Sequence, residues 1–483
     1  MLNSSLIEIL RSFSKEEIKS LQDFLDSPFH NKKTSAVKLF AQIKKHYPEL
    51  TSIKLHRESL WRILFPDKPY NYGIMKNLIY DLTKLTEEFI SVSKDRNDQM
   101  RKEFNIIKFL SDKKKIKLAE KYLGRADNEI RDKTTGDAEY FENKFRIEKI
   151  RLSIHYSKTA DKHKLIPGAE FEQSSKYLIE SFLISILENY VMINSLNKIH
   201  KSEFGMPLLE EVLAFVNRNP EFLENFYLKT YYFILLLDRE QDEKYYFILK
   251  NILTGTEDEI SASFKYVLWE NISNYITFRF HAGESEMVRE QFELNKLSLN
   301  KKIYNADDED KFFVNNFMTF FNVALHLKEY DWAEEFVQMY TGRLDNKTQE
   351  DIRNYCLGSL SVGSKDFLKA NDYFSRIRKL HEPNMKAGLK LSMLIVYYEL
   401  GWHESALNMS DSFKHLLDNE KNLQEVIREK FRKFIKGYLM LTEIKFGKDE
   451  NAKLKLKIYL QQNTGIGSVK WLIRKAKESG VDV

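Results

Sequence analysis

Apolar residues recur along this chain at the spacing of one helix face. Ile18, Leu21, Phe24 and Leu25 follow the 3.6-residue period behind Ser14-Lys-Glu-Glu17, which has the spacing of a capping box, and Ser27-Pro28 closes the helix. Val37, Phe40 and Ile43 place a second helix over 35–46, and a third covers 58–65. Leu78, Leu82, Leu85 and Phe89 share one stripe of a fourth, 74–92. Pro28, Pro48, Pro66 and Pro69, half of the chain's 8 prolines, fall in this region. Proline removes a backbone donor and biases its predecessor away from helix, so these helices are short and form a small bundle over residues 1–95.

The pattern lengthens beyond residue 104. Helices are predicted over 104–111, 115–131, 138–156, 174–196, 207–217, 221–238, 242–253, 260–280, 284–295 and 311–327. Breaks fall at Thr134-Thr-Gly136, Pro167-Gly168, Thr254-Gly255 and Ala282-Gly283. Helix after helix with short connections predicts an array of antiparallel hairpins over 96–483.

One grammar repeats near the C-terminal end: an aromatic, two or three residues, then a small alanine. The three copies are Tyr330-Asp-Trp-Ala333, Phe367-Leu-Lys-Ala370 and Trp402-His-Glu-Ser-Ala406, so the alanine returns after 37 and then 36 residues. The pair of helices around Ala370 has Leu357-Gly358 on its first helix and Ala370 and Phe374 on its second, which Pro383 is expected to end. These residues resemble the tetratricopeptide repeat, in which small residues let two helices approach while an aromatic fills the adjoining gap. The resemblance covers roughly 315–415. Phe321 stands at the glycine position of the Ala333 unit, and the Ala406 unit aligns only with a one-residue shift. It implies an all-α helical-hairpin solenoid, a right-handed superhelix expected to run from about 104 to 483. The stretch from Ser27-Pro-Phe-His-Asn-Lys-Lys33 to Leu64-Phe-Pro-Asp-Lys-Pro-Tyr-Asn-Tyr72 is similar to the opening of a group of uncharacterised bacterial helical proteins, which implies a bacterial cytoplasmic setting.

Composition agrees with helices. There are only 17 glycines and 8 prolines among 483 residues, 30% are charged, and 43% hydrophobic content is enough for a large core. The 76 basic and 71 acidic residues nearly cancel, so charge alone does not direct the chain to nucleic acid. Basic residues outnumber acidic ones by 16 to 9 from residue 413 onward, which a solvated face explains. The single cysteine, Cys356, excludes an internal disulfide and fits a reducing compartment. The start, Met1-Leu-Asn-Ser-Ser, lacks the pattern of a secretory signal. The most apolar run, 177–193, is interrupted by Glu180 and Glu188 and is shorter than the roughly 20 residues of a membrane span. The expectation is a cytoplasmic protein with no membrane partner.

Catalytic and cofactor chemistry finds little support. Thr464-Gly-Ile-Gly-Ser-Val-Lys470 lacks the spacing of a nucleotide loop and follows a predicted helix over 453–462, so it reads as a connection. Asp307-Asp-Glu-Asp310 lacks the glycine and final glutamate of a calcium loop, and the histidines form no pair at helical spacing. Cys356 sits where packing wants a small residue. No enzyme activity, catalytic residue, cofactor or metal is therefore assigned.

Two binding readings remain. First helices line the concave side of a tetratricopeptide stack, which by that resemblance turns Asn315, Met318, Asn322, His326, Tyr355 and Ser359 toward a partner peptide or helix. Asparagine offers a donor and an acceptor to a peptide backbone, and tyrosine adds apolar area with a polar tip. The expected function is a non-enzymatic scaffold for an unidentified protein or peptide. The alternative is a nucleic-acid-binding regulator, with 58–92 imitating a helix-turn-helix that presents Tyr70, Asn71, Tyr72, Lys76 and Asn77 to bases and Lys68 to phosphate. Against it stand a connecting loop longer than the usual turn and the acidic Asp81, Glu87 and Glu88.

Overall fold

A computed structural model describes residues 4–131, 136–159, 168–200, 202–255, 260–305, 311–446, 451–463 and 469–482. Among the described residues it holds 23 α-helices, three short 3-10 turns and no strand. The segments 307–310 and 464–468, weighed above against a calcium loop and a nucleotide loop, lie outside the described residues. The chain divides into two compact units, Met1–Ser185 and Ile186–Val483.

In the first unit the capping box forms as its spacing predicts. Ser14 Oγ accepts from Glu17 N at 3.1 Å, and Glu17 Oε2 accepts from Ser14 N at 2.7 Å. The helix it opens, Lys15–Asp26, buries Ile18, Leu21, Phe24 and Leu25. Thr34–Lys44 and Arg57–Leu64 follow, then Tyr72–Asn97, longer than the predicted 74–92 at both ends. Asn71 caps that long helix through Ile74 N, and the helices Ser5–Ser12, Lys15–Asp26 and Thr34–Lys44 all pack on it. Ser5–Ser12 has no counterpart among the predicted helices; Ser4 precedes it without a side-chain cap, and its Leu6, Ile7 and Leu10 are buried. These residues join one apolar cluster spanning Leu6 to Phe89, while Met100 to Ile154 belong to another.

In the second unit each helix from Phe226–Glu240 onward packs on its successor. Some also pack on the helix two positions along. Phe226–Glu240 touches Ala262–His281, Val314–Leu327 touches Gln349–Gly363, Gln349–Gly363 touches Pro383–Leu400, and Pro383–Leu400 touches Glu425–Phe446. The predicted helix 221–238 is broken in two, because Asn225 folds its side chain onto Leu228 N (2.8 Å) and so starts Phe226–Glu240 afresh after the turn Pro220–Glu224. Pro383 begins a helix instead of ending one: Phe367–Ser375 stops eight residues before it, and Pro383 occupies the first turn of Pro383–Leu400, where a missing N–H leaves no bond unmade.

Five of the turns between paired helices share one geometry. A residue in the left-handed region closes the first helix, and the next N–H donates to the carbonyl five residues back. The left-handed residues are Lys114 (φ 55°), Gly283 (φ 110°), Lys328 (φ 61°), Lys365 (φ 65°) and Gly401 (φ 75°). The matching bonds are Lys115 N to Leu110 O, 2.8 Å; Glu284 N to Arg279 O, 3.2 Å; Glu329 N to Ala324 O, 2.9 Å; Asp366 N to Ser361 O, 2.8 Å; and Trp402 N to Tyr397 O, 2.9 Å. Five residues beyond each stands a buried side chain: Ala119, Val288, Ala333, Ala370 and Ala406. Ala406 thus has the same offset as Ala333 and Ala370, and the one-residue shift read in the sequence belongs to the aromatic, not to the helix.

The alanine lets the second helix come close, and at one pair a glycine answers it. A Cβ added to Gly358 would lie 2.4 Å from Phe374 Cε1, and Phe374 is itself buried. Gly358→Ala is therefore expected to destabilise the protein by about 1–3 kcal/mol. Lys365→Gly is expected to stabilise it by about 1 kcal/mol, because lysine bears a left-handed strain that glycine does not. Urea unfolding of the two variants checks both signs.

Candidate functional site

Val314–Leu327 is a two-faced helix. Phe317, Phe320, Phe321 and Ala324 point into the core, and Phe317 and Phe320 meet Phe336 of the paired helix at centroid distances of 4.7 and 5.9 Å. The opposite face carries Asn315, Asn322 and His326, all exposed. Asn322 and His326 share a cleft of about 430 Å³ with Thr277, Phe280, Gln291 and Thr319. The His326 ring meets the Phe280 ring edge-on at 5.9 Å. The cleft has an apolar wall with amide, hydroxyl and imidazole groups beside it.

The other three candidates of this group lie in packing. Met318 is buried, with its sulfur 3.9 Å from Cys356 Sγ. Ser359 is buried and donates to Tyr355 O at 2.8 Å. Tyr355 is half-buried, and a Cβ on Gly388 would come within 2.7 Å of its phenolic oxygen. Burial raises the pKa of that phenol. Gly358 and Gly388 admit Phe374 and Tyr355 at close range, so the helices around Gln349–Gly363 pack tightly.

A second cleft, about 530 Å³, runs between the end of Gly168–His200 and the helices Phe226–Glu240 and Ala262–His281. It is lined by Lys198, Asp238, Gln241, Glu270, Asn271 and Asn274, among others. None of these was singled out in the sequence. The available signal was Glu270-Asn271 set between Leu268-Trp269 and Ile272, an acidic and an amide residue inside a strongly apolar stretch.

In the first unit Lys68, Tyr70, Asn71, Tyr72, Lys76 and Asn77 are all exposed around the start of Tyr72–Asn97. Their environment is partly committed. Lys68 O accepts from Trp61 Nε1 at 2.9 Å, Tyr70 meets Trp61 edge-on at 5.7 Å, and the Arg57 guanidinium lies 5.3 Å from the Tyr72 ring centroid. Asp81 is paired with Lys33 at 2.5 Å.

Among the described residues no group of three or more His, Cys, Asp or Glu side chains could hold a metal ion, and no helix is long and apolar enough to cross a membrane. Family models, curated proteins and solved structures provide no match to this chain.

Cys356 is fully buried, and desolvation pushes its thiol well above the ordinary cysteine range. The native chain is expected to react with a thiol-specific reagent only as fast as it opens, and the denatured chain at once. Rapid stoichiometric labelling of the native protein at neutral pH would contradict this placement.

Proposed function

We propose that residues Ile186–Val483 form a tetratricopeptide-like stack of helical hairpins that acts as a non-enzymatic scaffold, holding a peptide or helix of a protein partner on the face made by the first helices. The packing of alternate helices on one another supports the stacked arrangement, because a helical-repeat array buries its apolar faces only between neighbours. The observation that carries the binding reading is the cleft where Asn322 and His326 stand beside Phe280. An apolar wall with a few fixed polar groups suits an amphipathic segment, with side chains on the wall and backbone amides on Asn322. Asn315, about two turns away on the same helix face and exposed, extends the same surface. A cytoplasmic, bacterial setting goes with this reading.

Affinity capture with the full chain tests it. A protein partner recovered by the parent should be lost, or weakened at least about tenfold, when Asn322 and His326 are both replaced by alanine, and retained when an exposed control such as Lys347 is changed. Recovery unaffected by the double change would place the binding surface elsewhere.

The second reading keeps one specific observation, the joint exposure of Lys68, Tyr70, Asn71, Tyr72, Lys76 and Asn77. A regulator using this surface would retard duplex DNA in a salt-dependent way, and Lys68→Ala with Lys76→Ala would abolish the shift. Unchanged mobility at low salt removes this reading.

A further inference from the structure

The cleft between the end of Gly168–His200, Phe226–Glu240 and Ala262–His281 holds a carboxylate that its surroundings do not satisfy. Glu270 is half-buried, and neither carboxylate oxygen is joined to a hydrogen-bond donor or cation among the described residues. Gln241 donates through Nε2 to Asp238 O at 2.7 Å, while its Oε1 is buried with no partner. Carboxylates drawn into a partly buried wall are normally paired, so the Glu270 carboxylate, left without a partner at this cleft, defines what would fill it.

The charges around the cleft sharpen the point. Lys198 and Asn194 both bond to Asp238, so that cation and that anion offset one another. Tyr275, also in the lining, takes a hydrogen bond from Arg279, which pairs with Glu284 at 2.5 Å. The charge of Glu270 is the one left over, and burial raises its proton affinity, as expected of an anion without a counter-ion. The remaining wall is apolar: Ile234 and Leu237 on one helix, Phe278 on another, with Phe278 exposed.

We propose that this cleft receives a guanidinium group, the side chain of an arginine carried by the partner segment. The proposal deepens the scaffold reading by naming the chemistry of the bound segment. A guanidinium brings a fixed positive charge and a planar fork of N–H donors, which suits the Glu270 carboxylate in a two-pronged pair. Its three-carbon stem would lie on Ile234 and Leu237, and its flat face suits the Phe278 ring. A lysine supplies the charge but not the fork, so it binds less well. The volume, about 530 Å³, accommodates the side chain together with adjoining backbone.

The test uses the full chain and three short capped peptides that differ only at a central arginine, lysine or citrulline. Citrulline keeps the shape and removes the charge. With the parent chain the arginine peptide should raise the unfolding midpoint by about 2 °C or more, the lysine peptide less, and the citrulline peptide not at all. The arginine effect should shrink as salt is added. In Glu270→Gln, which should melt no lower than the parent in the absence of peptide, the difference between arginine and citrulline should vanish. Equal shifts from arginine and citrulline, or an arginine preference that persists in Glu270→Gln, overturn the proposal. These outcomes are separable from the capture experiment, because Asn322 and His326 line the other cleft. A partner captured through those two residues without any arginine effect leaves the scaffold reading and removes this one.

Discussion

The left-handed residue that ends one helix and the small side chain five positions later act as a single constraint. The turn fixes where the second helix starts and how it is rotated, and the rotation decides which of its residues faces the first helix. At Lys114, Lys328, Lys365 and Gly401 that residue is an alanine, which allows close approach; at Gly283 it is Val288. Three of the five turns use lysine in a conformation that favours glycine. The three lysines are exposed, and their charge lies at a helix C-terminus, where the helix dipole offsets part of the strain.

Close approach goes with a difference in the faces left open. Glycines admit large rings at Gly358, against Phe374, and at Gly388, against Tyr355, and on the same helix as Gly358 the candidate binding residue Ser359 is buried. Where Phe321 occupies the position of Gly358, Val314–Leu327 keeps Asn322 and His326 in the open. The same substitution of an aromatic for glycine that blurs the repeat therefore coincides with the cleft on which the proposed function rests. Both clefts lie along helices that open their pairs, and both combine an apolar wall with polar groups, though only the one at Glu270 has a net unpaired charge.

Much of the helical layout was legible in the residues. Ser14 and Glu17 announced their capping box, and Leu78, Leu82 and Phe89 their buried stripe, because both signals depend only on residues within a few positions of one another. The turn at Gly283 was legible because glycine marks a break there, and the same backbone was silent where lysine adopts it. Ala119 escaped notice for that reason, although Lys114 gives it the offset of the later repeats. Pro383 misled because proline marks helix starts as well as ends, and Asn225 was passed over inside a predicted helix because nothing in its local spacing marks it as a cap. The split among the site candidates was not legible at all. Asn322 is exposed and Ser359 buried although both stand on helices that open their pairs, a difference that depends on packing between helices and not on residues near either in the chain.

The offset of five is the central claim, and an insertion tests it most directly. One alanine placed between Asp366 and Phe367 keeps composition and helix propensity but rotates Ala370 by about 100° relative to the turn. One alanine placed between Lys421 and Asn422, both exposed in the connection between His403–Asn419 and Glu425–Phe446, lengthens a loop by the same amount. Urea unfolding should show a loss of about 3 kcal/mol or more for the first insertion and less than about 1 kcal/mol for the second. Equal effects from the two insertions would contradict the account, since the spacing between turn and alanine would then have no special hold on the packing.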